Sequence, residues 1–163
     1  MTINPDAQRF RHVLGHLPTG ACIITTTDAA GHPLGLSCNS FTSVSLRPPL
    51  VSFCPAKSST TWPRMRRGAR FAVNVLAEDQ HDLCRRFSLR GIDRFADVIW
   101  TPSRYGNPLI KGALAWIDCD SIEEHDAGDH TIVVAAVLDL ESAEMTRPLI
   151  FFRGGYDGLR GSY

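Results

Sequence analysis

Phe10, Val13, Leu14 and Leu17 recur at i, i+3, i+4 and i+7, so residues 5–17 read as a helix with one apolar stripe. Pro18-Thr19-Gly20 ends it. Residues 21–27 (ACIITTT) are rich in β-branched side chains and read as a strand. Asp28 to Gly31 form a turn into a second strand at residues 33–39. The apolar run at 50–54 is a third strand, and Ser58 opens a short hydroxyl-capped helix. Residues 70–76 alternate, with Phe71, Val73 and Val75 on one face and Ala72, Asn74 and Leu76 on the other. Leu83 and Phe87 mark a second good helix at 78–89. A Gly- and Pro-containing loop at 90–109 leads to strands at 112–120, 131–140 and 149–153. TIVVAAVLDL (131–140) is nearly all apolar, which predicts burial on both faces.

About seven strands punctuated by few helices favour a mainly β, antiparallel barrel or sandwich over a doubly wound sheet. The length, 163 residues, suits one domain spanning 1–163, and neither a linker nor a repeat interrupts it. Seventeen basic and seventeen acidic residues cancel, so no nucleic-acid footprint is expected. No apolar run reaches the ~20 residues of a membrane span, and the amphipathic start is unlike a leader. The five cysteines lack metal-ligand spacing, which predicts no metal and a reduced, cytoplasmic protein.

Candidate chemistry gathers around the third strand. Residues 35–61 carry hydroxyls on both sides of it, and buried hydroxyls need partners. Lys57-Ser58-Ser59-Thr60-Thr61 offers a cation and four hydroxyls at a helix start, a phosphate cradle or an ordinary cap. Ser37-Cys38-Asn39-Ser40 is a polar tetrapeptide at a strand end, a turn or a ligand contact. Thr42, Ser43 and Ser45 read as turn formers. Gly128-Asp129-His130 places an acid and a His at a strand entry, where they could orient a ligand or simply sit in a surface turn. Asn74 lies inside an apolar strand and is either a structural pin or a ligand contact. Asp118, Asp120, Glu123 and Glu124 read as a solvated strand end, and Gly154, Gly155 and Gly158 as a turn. Neither G-x-G-x-x-G after a strand nor G-x-x-x-x-G-K-[ST] occurs.

The order of these pieces resembles the flavin reductase family with the FMN-binding split-barrel fold. The segments carrying the resemblance are residues 18–62, FAVNVLAEDQHDLCRRFS (71–88), DRF (93–95), NPLIKGALAWIDCD (107–120), GDHTIVVAAV (128–137) and PLIFFRGGY (148–156). S-x-x-S-x-x-PP, K-S-S-x-T, N-V-L-A-E-x-Q and G-D-H together are specific, whereas each alone is not.

The resemblance implies a homodimeric, Greek-key-like split β-barrel that reduces FMN or FAD with NADH or NADPH. Reduced flavin would then serve a partner monooxygenase. By position, it puts Thr19, Ser37, Cys38, Asn39 and Ser40 near the ring and ribityl chain. Cys54, Ala56, Lys57, Ser58, Ser59 and Thr60 would surround the phosphate, with Asn74, Arg94 and Tyr156 near the pocket. His130 would stand beside the ring, where the nicotinamide must stack. A flavin-binding module without turnover, a sensor or carrier, is the other reading. The intact G-D-H favours the reductase.

Overall fold

The computed structural model describes residues 6–68, 70–143 and 147–158. Along the chain run α1 (Ala7–Leu14), β1 (Thr19–Gly20), β2 (Cys22–Thr27), β3 (Pro33–Cys38), β4 (Thr42–Leu46), β5 (Pro49–Phe53), α2 (Trp62–Met65) and β6 (Arg70–Val75). Then follow α3 (His81–Ser88), β7 (Trp100–Pro102), β8 (Pro108–Ile110), β9 (Ala115–Ala127), β10 (His130–Ser142), β11 (Leu149–Phe152) and β12 (Gly155–Gly158).

Seven strands form one antiparallel sheet in the order β3-β2-β6-β9-β10-β5-β4. The chain is mainly β, as its patterning predicts. Alternation along β6 sorts side chains between two cores: Phe71 and Val73 enter one, and Leu76 just beyond the strand enters the other. β2 does the same with Cys22 and Ile24 against Ala21 and Ile23, so it is covered on both faces. Phe53, Trp62 and Phe71 meet edge-on in the first core, with Phe53 5.1 Å from Trp62 and 5.3 Å from Phe71. Phe87 of α3 packs into the second core. It lies where a Cβ on Gly35 would stand 2.6 Å from its ring, so glycine lets α3 close onto β3.

Several sequence expectations need correction. α1 is shorter than 5–17. Asp6 caps it by accepting from the Gln8 N–H, and it stops at Leu14; the expected start at Pro5 lies outside the described residues. Its apolar stripe is periodic but has no cover among the described residues, with Phe10 54% and Leu17 63% exposed. Thr42–Leu46 is an edge strand, not a turn: pairing with β5 overrides the local preference of its hydroxyls. Within the loop at 90–109, β7 and β8 pair as a small ribbon. Gly155–Gly158 is a strand on β11, and of the three glycines Gly154 alone, at φ +77°, lies in the turn, beside Arg153 at φ +50°. β9 and β10 form a hairpin far longer than expected, closed by Gly128 and Asp129. β10 is not buried on both faces: Val133 and Ala135 are buried, while Ile132 and Leu140 are exposed. Asp118 is not solvated. It is buried and accepts from Ser103 Oγ (3.0 Å) and Asn107 Nδ2 (2.8 Å).

Candidate functional site

A cleft of about 260 Å³, partly open to solvent, lies where the ends of β3, β5 and α3 meet the start of β10. The end of β3 contributes Ser37 and Cys38, and the turn after it Asn39 and Ser40. The segment after β5 contributes Cys54, Ala56, Ser58, Ser59 and Thr60, and Arg94 and His130 complete the expected set. Residues that spacing had linked only by order therefore share one wall.

Backbone pairing explains how. Ser40 Oγ accepts from the Cys54 N–H (2.9 Å) and lies 3.4 Å from Cys38 Sγ, which ties the two polar segments together. Ala56 bridges His130, Lys57 N–H donates to the Asp129 carbonyl (2.9 Å), and Thr131 N–H donates to the Pro55 carbonyl (3.0 Å). The loop after β5 is thus laced to the entry of β10. Ser59 is spent on structure: its Oγ accepts from the Thr61 and Trp62 N–H groups and so caps α2. That helix is only four residues long, so its start is a minor source of anion attraction. The Ser37 and Thr60 hydroxyls make no hydrogen bond among the described residues.

His130 Nδ1 stands 2.7 Å from Asp129 Oδ1. That contact, ahead of the charge itself, holds the Asp129 carboxyl below its ordinary pKa. An ionised carboxylate can only accept, so Nδ1 donates and Nε2 is left without a partner among the described residues.

Sequence reasoning missed Arg90, Phe87 and Ser88, which also line the cleft. Arg90 Nη2 donates to the Ser58 carbonyl at 3.2 Å, beside the candidate phosphate cradle. The available signal was an unpaired Arg just past the end of an amphipathic helix. Arg94 donates to Gly35 O (2.7 Å), Thr61 Oγ1 (2.8 Å) and Leu89 O (2.8 Å). Burial first, and the Arg90 charge second, lower its pKa. Two guanidinium groups thus share a wall with no carboxylate among its described residues.

Four expected residues stand apart from the cleft. Lys57 Nζ is engaged by Asp126 Oδ2 at 2.6 Å. Asn74 is fully buried, and its amide is saturated: Nδ2 donates to Ile23 O and Thr25 Oγ1, and Oδ1 accepts from Ile110 N–H. Of the two roles open to it, the structure shows the pin. Tyr156 lines an adjoining cavity that shares Ser37, Cys38, Asn39 and Ser88 with the cleft. Thr19 lies in β1, opposite Phe151 of that cavity's wall, and its buried hydroxyl has no partner.

A family model described as a flavin reductase like domain matches residues 14–160. The chain belongs to the flavin reductase family. It is an oxidoreductase. It is 48% identical over 154 residues to the reductase subunit HsaB of a flavin-dependent monooxygenase from Rhodococcus jostii, covering 94% of this chain and 78% of that one. A crystal structure of nitrilotriacetate monooxygenase component B from Mycobacterium thermoresistibile superposes with a TM-score of 0.91 at 45% identity, over 94% of this chain and 86% of the other. The NADH:FAD oxidoreductase SgcE6 of Streptomyces globisporus, in complex with NAD and FAD fragments, gives a TM-score of 0.90 at 33% identity, over 98% and 97%.

The residues present fit a flavin. The two arginines beside free hydroxyls suit a phosphate, which would relieve their mutual repulsion. Small polar side chains at Ser37 to Ser40 leave room for a flat ring beside His130.

Proposed function

We propose that residues 1–163 act as one domain whose cleft binds FMN or FAD, takes reducing equivalents from NADH or NADPH, and yields reduced flavin to a partner monooxygenase. The observation that carries this reading is the cleft, with Arg90 and Arg94 on its wall, His130 at the entry of β10 and no carboxylate among its described lining residues, in a chain of this family. The similarity to a monooxygenase reductase subunit supports the partner.

When bound, the two ligands supply the hydride donor and acceptor, so the protein needs no general base. Its residues position and stabilise. Ser37, Cys38 and Asn39 offer small polar groups to the ring, where donors aimed at developing negative charge lower the barrier. Ser58, Thr60 and Arg90 take the phosphate, with Arg94 behind them. This assignment replaces Lys57, whose charge is already met by Asp126. Asp129 fixes the His130 imidazole by holding Nδ1, and Nε2 is presented to the nicotinamide.

A homodimer completes the barrel. The uncovered stripe of α1 and exposed Val44, Leu46, Ile122, Ile132 and Leu140 on β4, β9 and β10 support it. No helix among the described residues is long and apolar enough to cross a membrane. Five free thiols support work in the reducing cytoplasm.

Steady-state kinetics with each pairing of FMN or FAD and NADH or NADPH test the reading. Nucleotide oxidation that depends on added flavin is expected. A protein that binds flavin yet oxidises neither nucleotide refutes it.

A further inference from the structure

Three of the five cysteines, Cys38, Cys54 and Cys84, line the cleft and its adjoining cavity, and flavin reduction assigns none of the five a redox role. Two are directly opposed. Cys22 on β2 and Cys38 on β3 are register partners across an antiparallel pair. Such partners hold their Cα atoms about 4.5–5.5 Å apart with side chains on one face, inside the ~4.4–6.8 Å span of a disulfide. Both side chains pack into the same core cluster. Cys38 also lines the cleft, so a small solute reaches it from solvent, whereas Cys22 is buried behind it.

We propose that Cys22 and Cys38 are an oxidative modification site, joined by peroxide into a reversible disulfide that narrows the flavin cleft. The reaction balances in two steps. The Cys38 thiolate attacks one peroxide oxygen, the O–O bond breaks, and a sulfenic acid forms as hydroxide leaves. Cys22 sulfur then attacks the Cys38 sulfur, the S–S bond forms, and the sulfenic oxygen leaves as water with the Cys22 proton. Peroxide is reduced by two electrons and the dithiol is oxidised by two. The oxidant is close at hand, because dioxygen reoxidises free dihydroflavin to flavin and hydrogen peroxide.

The environment separates attacking from resolving sulfur. The Cys22 thiol and then the Ser40 hydroxyl, 3.4 Å away, lower the Cys38 pKa, while the same thiol pair and burial raise that of Cys22. The other thiols are placed less well. Ser40 Oγ stands between Cys38 and the Cys54 backbone. Cys119 is buried in the first core and its thiol is pushed up to about 12. Turning the Cys38 side chain onto Cys22 would shift Ser37 and Asn39, which flank it on the cleft wall.

The test uses the whole protein, exposed to stoichiometric hydrogen peroxide and then unfolded under non-reducing conditions. Thiol titration should fall from five to three, and peptide mapping should recover Cys22 linked to Cys38. Cys22→Val, which conserves core volume, should yield no linked peptide. Five titratable thiols after treatment, or a linkage to Cys54 or Cys84, overturns the proposal. FMN affinity measured by fluorescence should weaken about tenfold on oxidation and return with dithiothreitol, a 1.4 kcal/mol change. A disulfide that leaves affinity unchanged overturns the narrowing. That arm alone rests on the flavin reading: reduced protein that binds no flavin refutes the reading and leaves the thiol result standing.

Discussion

Replacing Arg90 by Ala separates recognition of phosphate from recognition of the ring. A hydrogen bond to a charged group contributes about 1.5–3 kcal/mol. Arg90 is exposed and donates to Ser58 from the rim of the cleft, so solvent and salt reduce that figure. The lower end, about 1.4 kcal/mol, corresponds to a tenfold weaker Kd. Fluorescence titration with FMN and riboflavin reads it directly, because riboflavin keeps the ring and ribityl chain but lacks the phosphate. FMN should bind roughly tenfold more weakly to Arg90→Ala, while riboflavin affinity stays within about twofold. The FMN loss should shrink at high ionic strength, as expected for a screened pair. Lys57→Ala serves as a matched control, because its ammonium is 2.6 Å from Asp126 and off the cleft wall, and FMN affinity should hold. An equal loss for FMN and riboflavin would mean that Arg90 only props the Ser58 loop. No loss for either ligand in Arg90→Ala would remove it from the site.

Three further outcomes are expected. His130→Ala should slow flavin reduction at saturating flavin about tenfold or more in stopped flow, with flavin Kd nearly unchanged; an unaltered rate removes the role. Asn74→Leu should lower stability by about 2–4 kcal/mol in urea unfolding, because it strands the Ile110 N–H in the interior and removes the amide that donates to Ile23 O and Thr25 Oγ1; a loss under about 0.5 kcal/mol would refute the pin. The Asp28 carboxyl accepts from the His32 and Ala30 N–H groups, and these bonds lower its pKa in the folded state. A depressed carboxyl stabilises the fold above its unfolded pKa of about 3.9 and loses that contribution as pH falls through the folded value. Asp28→Asn should therefore flatten the decline in stability below about pH 4, and an unchanged slope by chemical denaturation would contradict this.

The core was legible where one period governed one element. β6 alternates between two cores, and its sequence says so; Gly128 before Asp129 marked the hairpin turn at the head of β10. β4 was hidden because Thr42, Ser43 and Ser45 favour turns locally, and only the ladder with β5 makes them a strand. β10 looked doubly buried because apolar content cannot say which face has a neighbour. In the site, Ser37 to Ser40 and Ser58 to Thr60 gained meaning from their order within a family, not from local spacing. Lys57 read as a free phosphate cation because Asp126, its ion-pair partner, is 69 residues away and reaches it only along the long hairpin. Arg90 was invisible for the same reason: its partner Ser58 is 32 residues distant and meets it only once α3 docks on β3. Asn74 was read correctly as a group in need of partners, but their identity depended on β2 and β8.

The lacing of residues 55–57 onto the entry of β10 makes the cleft a gauge. Ala56 is bridged to His130, with Lys57 N–H on the Asp129 carbonyl and Thr131 N–H on the Pro55 carbonyl. The interval between the hydroxyls of Ser58 to Thr60 and the imidazole is therefore set by the β5–β10 ladder rather than by any flexible side chain. A ligand is measured by length as well as by chemistry, anionic at one end and planar at the other. One residue inserted between Phe53 and Ser58 would break that interval, whereas the turn between β2 and β3 could lengthen without changing it.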